Sequence, residues 1–434
     1  METYIFVAFG VFMVLGVIVT LIKITKGTAN SARGGGSSSD DQETSRLCKT
    51  LGGEELYNLA LNLKDEKGHK KDYKLWESFM SAAANKGYLP AMREWGKDRK
   101  CIKNNEAIFW LERAANEGDA LSAVALGDMY KFGVKYGTPV IEKNEDLALK
   151  WYTVYAEKGD ATAQFELGEF LQYYKHNEKE ALKWYKKSAD QNNADAINAL
   201  ADYYRFNDKE DEAFEMDMKA AELGSAEAER SLGTYYYTLD EPDFKKAMEW
   251  YKKAAEHGDS VATCDVGIMY LKGKGVLKDS SVAVEWFKKA VEIHSVQAMY
   301  YLGKCYLEGT GVEQDIDRAI KLYTEAAEYS ANAQYALGMC YLEGTGVKKD
   351  VKQAIKYLEK SSHTRFYNAS ASSASYKLGE MYYDGKLVKK NDELAKDYWR
   401  KSASHGHKDA IECLKLYFGE VVEINEDEID DFDD

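Results

Sequence analysis

The sequence predicts an all-α protein, an α-solenoid of about ten helix-turn-helix repeats preceded by a single transmembrane helix. Three observations carry that expectation. A Leu-Gly-x-x-Tyr motif returns at a near-constant interval along most of the chain. Only three prolines occur in 434 residues, and 30% of the residues are charged, which suits long helical runs. An uncharged apolar run of 19 residues, Tyr4 to Ile22, stands near the N-terminus.

That run is expected to cross a bilayer. At about 1.5 Å per residue it makes a helix of roughly 28 Å, against a hydrocarbon core of about 30 Å. A cleaved signal peptide would show a basic flank before a shorter apolar core. Here Glu2 comes first, and Lys23, Lys26 and Arg33 follow the run. A weak small-residue cleavage site stands near Ala29-Asn30-Ser31, but the anchor reading is the better fit. Basic residues after the span place its C-terminal side in the cytoplasm. The expected organisation is a signal-anchor helix over 1–26, a flexible Gly/Ser-rich linker over 27–53, a repeat solenoid over 54–418 and an acidic disordered tail over 419–434.

The repeat itself is read from two motifs. The first appears as LGDMY at Leu126, LGTYY at Leu232, LGKCY at Leu302, LGMCY at Leu337 and LGEMY at Leu378. VGIMY at Val266 is a variant, and Leu167 (LGEFL) and Leu200 (LADYY) begin degenerate copies. The motif glycines are 127, 168, 233, 267, 303, 338 and 379, with Ala201 in one slot, giving spacings of 41, 33, 32, 34, 36, 35 and 41. The second motif, Ala-x-x-Trp-aromatic-x-x-Ala, appears from Ala107, Ala181, Ala247 and Ala283, with Trp151, Leu322 and Tyr357 in the Trp slot elsewhere. Apolar residues at helical spacing make each segment an amphipathic helix. Glycine inside a helix costs roughly 0.5–1 kcal/mol relative to alanine, so its recurrence implies close packing of a second helix. Glycines such as Gly224 and Gly258, just past the second motif, are expected as left-handed caps.

These motifs, with the turns YLKGKGVLKD from Tyr270, YLEGTGVEQD from Tyr306 and YLEGTGVKKD from Tyr341, resemble the Sel-one-like repeat, a relative of the tetratricopeptide repeat. The resemblance covers roughly residues 54–418, is most specific between about 225 and 405, and weakens before 105. It implies a right-handed solenoid, closed by a helix over residues 408–418, and a non-enzymatic adaptor of the kind that serves membrane-bound degradation or signalling complexes. A secreted subgroup linked to penicillin binding joins the two helices of each repeat through paired cysteines. This chain has at most one Cys per repeat and departs from that pattern, so a hydrolase of that subgroup is the weakest alternative.

Composition narrows the chemistry. The net charge is −15, of which nine acids and no base fall in residues 420–434, leaving the remainder near −6. Nucleic-acid binding needs clustered Lys and Arg, and none is visible. Cys48, Cys101, Cys264, Cys305, Cys340 and Cys413 show no metal-ligand spacing. Cys305 and Cys340 hold equivalent places in successive repeats and are expected as small buried side chains. Gly273-Lys274-Gly275, Gly309-Thr310-Gly311 and Gly344-Thr345-Gly346 lack the strand and Lys-Ser/Thr context of a phosphate loop and read as turns. No catalytic constellation, metal site, cofactor or small-molecule substrate is expected. Asn368-Ala369-Ser370 is a glycosylation sequon, relevant if the repeats face a lumen.

The expected working surface is the concave face, lined by side chains of the helices that carry Leu-Gly-x-x-Tyr. Positions −6, −3, +1 and +4 from the motif glycine select Asn198, Asp202, Arg205, Arg230, Tyr237, Tyr300, Lys304, Tyr335 and Tyr376. Tyr mixed with Arg, Asn and acids suits a peptide or extended protein segment. The sequence therefore points to a membrane-anchored adaptor with cytoplasmic repeats and protein or peptide partners. The alternative is the same adaptor facing a periplasm, lumen or exterior. The acidic-apolar tail is a docking peptide or a solvating end, and the insert Lys135–Asn144 is a contact loop or mere length variation.

Overall fold

A computed structural model describes residues 38–63, 73–98, 106–134, 141–364 and 368–422. Among them are twenty-two α-helices. No helix of the described residues is long and apolar enough to cross a membrane. The expected span over 4–22 lies outside the described residues, as do 423–434 of the acidic tail.

The chain divides into two compact units, 1–196 and 197–434. The first holds α1 (Ser38–Thr50), α2 (Gly53–Leu61), α3 (Tyr73–Asn85), α4 (Leu89–Gly96), α5 (Ala107–Asn116), α6 (Ala120–Phe132), α7 (Glu145–Glu157), α8 (Ala161–Tyr173) and α9 (Glu178–Ala189). α10 (Ala194–Phe206) lies mainly in the second. There it is followed by α11 (Glu210–Glu222), α12 (Ala226–Thr238), α13 (Phe244–Glu256), α14 (Ser260–Lys272), α15 (Ser280–Glu292) and α16 (Val296–Glu308). α17 (Ile316–Ala326), α18 (Ala331–Glu343), α19 (Val351–Ser362), α20 (Ala369–Asp384), α21 (Asp392–Ala403) and α22 (Lys408–Phe418) complete it. From α2 to α9 and from α11 to α22 successive helices pack on one another in chain order, as a solenoid requires, while α1 packs on α3.

Helix α1 occupies ground assigned to the flexible linker, a correction to the reading of 27–53. Its Leu47 is buried in the first hydrophobic cluster and Cys48 packs against the same cluster. Two adjacent apolar residues, Leu47 and Cys48, on a polar segment give little periodic signal, and the order comes from the packing. The start of the tail also departs from disorder. Glu420 accepts from Arg400 Nε at 2.6 Å and Nη2 at 2.8 Å, and pairs with Lys396 at 2.9 Å. Val422 packs on the cluster around Trp399 and Leu414.

The helices begin on well-made caps. Asp279, Asp315 and Asp350, which end the three glycine turns, accept hydrogen bonds from the first backbone N–H groups of α15, α17 and α19. Both glycines of each turn take left-handed backbone. A side chain on Gly311 would run into the carbonyl of Ser280, so the turn requires glycine for space as well as for φ. These are capping turns between helices and not phosphate cradles.

Candidate binding site

The repeat motif has one central device. The residue after the Trp slot of each second helix lays its side chain directly on the motif glycine of the helix before it. Tyr251 covers Gly233, and a Cβ built on that glycine would stand 2.5 Å from the ring. Tyr323 covers Gly303 in the same way, with 2.7 Å to the nearest ring atom. Tyr185, Phe287 and Trp399 cover Gly168, Gly267 and Gly379. These rings are fully buried or nearly so. Three of the hydroxyls meet the residue after the glycine: Tyr152 donates to Asp128 at 2.7 Å, Tyr185 to Glu169 at 2.9 Å, and Tyr251 lies 3.1 Å from Thr234 Oγ1. Burial pushes the Tyr251 hydroxyl up to about 12. The Trp slot is less buried. Trp184, Trp250 and Trp286 each carry a lysine ammonium over the ring, Lys187 at 3.8 Å, Lys253 at 3.9 Å and Lys289 at 4.4 Å.

Sequence reasoning placed the rings between units but missed which ring meets which glycine. It also missed Gly96, which takes Leu111 at 2.8 Å and extends the device to α4 and α5. Cys305 and Cys340 are buried as expected, and the thiols of both are pushed up to about 11 by desolvation. All five described cysteines are free.

One helix pair breaks the pattern twice. In α10 the glycine slot holds Ala201, and in α11 the ring slot holds Asp217. The two exceptions answer each other, because a ring could not lie on Ala201 Cβ. In place of a tyrosine hydroxyl, Arg205 Nη2 donates to Asp217 at 2.6 Å while Nη1 donates to Asp202 at 2.6 Å. Beside this pair lies a cavity of about 570 Å³ lined by these three residues together with Phe214, Tyr235 and Arg230, among others. Asp217 is only 5% exposed, and desolvation, opposed by Arg205, pushes its carboxyl up to about 6.

The nine residues assigned to the concave face are thus used unequally. Asp202, Arg205 and Arg230 come together at this cavity. Asn198 is buried and donates to Ser225 Oγ, the cap of α12. Arg230 also reaches Asp259, the cap of α14, at 3.1 Å, as Arg93 reaches Asp119 in the first unit at 2.5 Å. Tyr376 stacks on His407, which caps α22, at 4.5 Å between centroids. The −3 position therefore often ties one repeat to the cap of the next. Tyr300 meets Tyr301 edge-to-face at 5.2 Å between centroids, Tyr237 packs on Phe244 beneath Lys274, and Tyr335 and Lys304 are half-buried. Asn368, the sequon residue, caps α20 through Oδ1 and donates its amide N–H to Asn332 at 3.1 Å. Among the described residues no group of three His, Cys, Asp or Glu is placed to hold a metal ion.

Helix pairs closed by a ring on a glycine and tied in series through their caps define an α-solenoid repeat protein. The Sel1 repeat pattern matches residues 96–119, 120–160, 161–193, 226–259, 260–293, 296–328, 331–363 and 372–407, and the chain belongs to the Sel1 repeat family. The pattern leaves 194–225 unmatched, the stretch that holds Ala201 and Asp217. An uncharacterized protein of Neisseria meningitidis serogroup B is 27% identical over 224 residues, covering 51% of this chain and 47% of its own. The chain thus spans about half the length of that curated relative. The fold is similar to that of a protective antigen of uropathogenic Escherichia coli, with a TM-score of 0.54, 24% identity, and coverage of 90% of this chain and 88% of that one. A Sel1 repeat protein from Oxalobacter formigenes matches at a TM-score of 0.50 and 28% identity, covering 55% of this chain and 98% of its own.

Proposed function

We propose that the chain is a non-enzymatic scaffold, anchored in a membrane through residues 4–22, whose cytoplasmic repeats hold a protein or peptide segment on their Leu-Gly-x-x-Tyr helices. Sel1 repeat proteins are generally non-enzymatic scaffolds, and the family match supports that part of the reading. The observation that carries it is the division of labour within the repeat. Second-helix rings are consumed in closing each pair, while the first helices keep polar and aromatic side chains such as Asp202, Arg205, Lys304 and Tyr335 at least partly accessible. The anchor rests on the uncharged run Tyr4–Ile22, and the sidedness on the bases that follow it. Occupied glycosylation would favour the opposite sidedness, but the Asn368 amide is already committed to Asn332.

Protease added to sealed vesicles of known orientation tests the placement. Removal of the repeats from the cytoplasmic side supports it, and protection there overturns the sidedness. A photo-crosslinker at Lys304 tests the surface in the same membranes. A discrete protein adduct is expected, and its absence across growth conditions would count against the concave-face reading.

A further inference from the structure

We infer that the cavity between α10, α11 and α12 is a subsite for the cationic side chain, arginine or lysine, of a bound peptide. This deepens the scaffold reading and rests on it.

Four observations lead there. The cavity sits where the chain departs from its own repeat, at the paired exceptions Ala201 and Asp217, and where the Sel1 pattern fails to match. Every other motif glycine in 127–379 is covered by a side chain of the next helix, whereas here the ring slot holds Asp217, whose carboxylate lines the cavity. Its lining carries five carboxylates against two guanidiniums, a formal balance of −3. Finally, the buried Asp217 spends only Oδ2 on Arg205. Among the described residues its Oδ1 accepts no hydrogen bond, although the side chain lines the cavity.

The two arginines do not satisfy this charge. Arg205 is divided between Asp202 and Asp217, and Arg230 between Glu227 and Asp259. A buried carboxylate with one oxygen unused gains most from a further cation that brings its own donors. The walls suit the stem of such a side chain as well as its head. Phe214 and Tyr235 stand in contact at 4.7 Å between centroids and offer an apolar strip beside the carboxylates. An arginine or lysine stem packs on such a strip while its head reaches the charge. A volume of about 570 Å³ lies within the range of about 300–1,000 Å³ that small-ligand clefts span.

The test uses the full chain in lipid nanodiscs and a random peptide library displayed on phage. Peptides selected by the native chain are expected to be enriched in Arg or Lys at one position. The double variant Ala201→Gly with Asp217→Tyr restores the glycine and ring of the other repeats, removes the carboxylate and places a ring hydroxyl against Asp202 and Arg205 in the cavity wall, as Tyr185 meets Glu169 and Gln172. It is expected to fold, with a melting temperature no lower than that of the native chain. It should lose at least about tenfold in affinity for the selected peptides by fluorescence anisotropy. Asp217→Asn, which leaves the shape unchanged, should weaken them in the same direction. Changing the enriched Arg to citrulline in the synthetic peptide should reproduce the loss on the native chain. Selection of peptides without cationic enrichment, or equal binding by native chain and double variant, would overturn the inference and leave the scaffold reading standing. Failure of the native chain to select any peptide would overturn both.

Discussion

Replacing Gly233 by alanine sets two effects against each other, and the structure predicts which prevails. Helix propensity alone favours the change by about 1 kcal/mol, because glycine is a poor helix former. Packing opposes it. The new Cβ would stand 2.5 Å from Tyr251 Cδ1 and 2.7 Å from Cε1, on a ring that is 4% exposed. A buried ring cannot retreat without moving α13 away from α12, and overpacking of this kind costs roughly 1–3 kcal/mol. The net expectation is a loss on the order of 1 kcal/mol, concentrated in one helix pair. Solenoid units open locally, so amide hydrogen exchange read by mass spectrometry is the suitable assay. Exchange in α12 and α13 should speed up about five- to tenfold, with little change in α20 and α21. Gly338→Ala provides the scale. Its nearest neighbour is Leu358 Cγ at 3.0 Å, a side chain that can shift its rotamer, so the loss there should be smaller. If Gly233→Ala slowed exchange in α12 and α13, the ring-on-glycine argument would be refuted and the glycine would be a mere propensity defect.

Three further predictions follow from named contacts. Asp217→Asn should flatten the pH dependence of stability. The native carboxyl is held at about 6, above its ordinary value, so the folded state binds the extra proton between about pH 4 and 6 and the Asp217 contribution falls as pH rises through that window. The difference in urea midpoint between native and variant chains at pH 4 and pH 7 isolates it, and equal differences at both would dismiss the shift. Arg400→Lys should free the chain after α22, because lysine cannot reproduce the two-pronged contact with Glu420. Limited proteolysis should then cut near residue 420 at least severalfold faster, and unchanged cutting would mean the packing of Val422 suffices. Cys264, Cys305 and Cys340 should resist a maleimide in the native chain and react on unfolding in urea, since burial raises all three thiols. Labelling of Cys305 in native conditions as fast as that of the half-buried Cys413 would contradict the packing described.

The fold was largely legible in the sequence because the repeat is written in residue types with strong packing consequences. A glycine within a helical pattern, returning seven times beside an aromatic motif, leaves few arrangements open. The site was legible only in part. Asp202, Arg205 and Arg230 followed from counting along one helix, but what gathers them is a residue on another, Asp217. The signal for it was present. Ala201 fills a glycine slot, and the ring slot of the following helix, aromatic or leucine in every other unit from α5 to α21, holds an acid. Either exception alone looks like drift, and only the steric link between them makes a pair. The ties from Asn198, Arg230 and Tyr376 to the next caps were hidden for a different reason. They depend on the rise from one repeat to the next, a distance that periodicity along a single helix does not encode. Helix α1 escaped because its order comes from what Leu47 touches and not from its own charged sequence.

The insert after α6 has a bearing on how this chain can be altered. Val134 donates to Ile141 O at 2.8 Å and accepts from Ile141 N at 3.2 Å, so the two ends of the insert are clasped before α7 begins. Asn144 then caps α7 and returns a backbone N–H to Tyr130. The clasp fixes where the chain leaves α6 and where it enters α7. Lengthening the stretch between adds only a slowly growing closure entropy, about 0.6 kcal/mol for each doubling. That makes residues 135–140 a natural port for grafting an epitope or a reporter, one that leaves the ring-on-glycine contacts of α6 and α7 as they are.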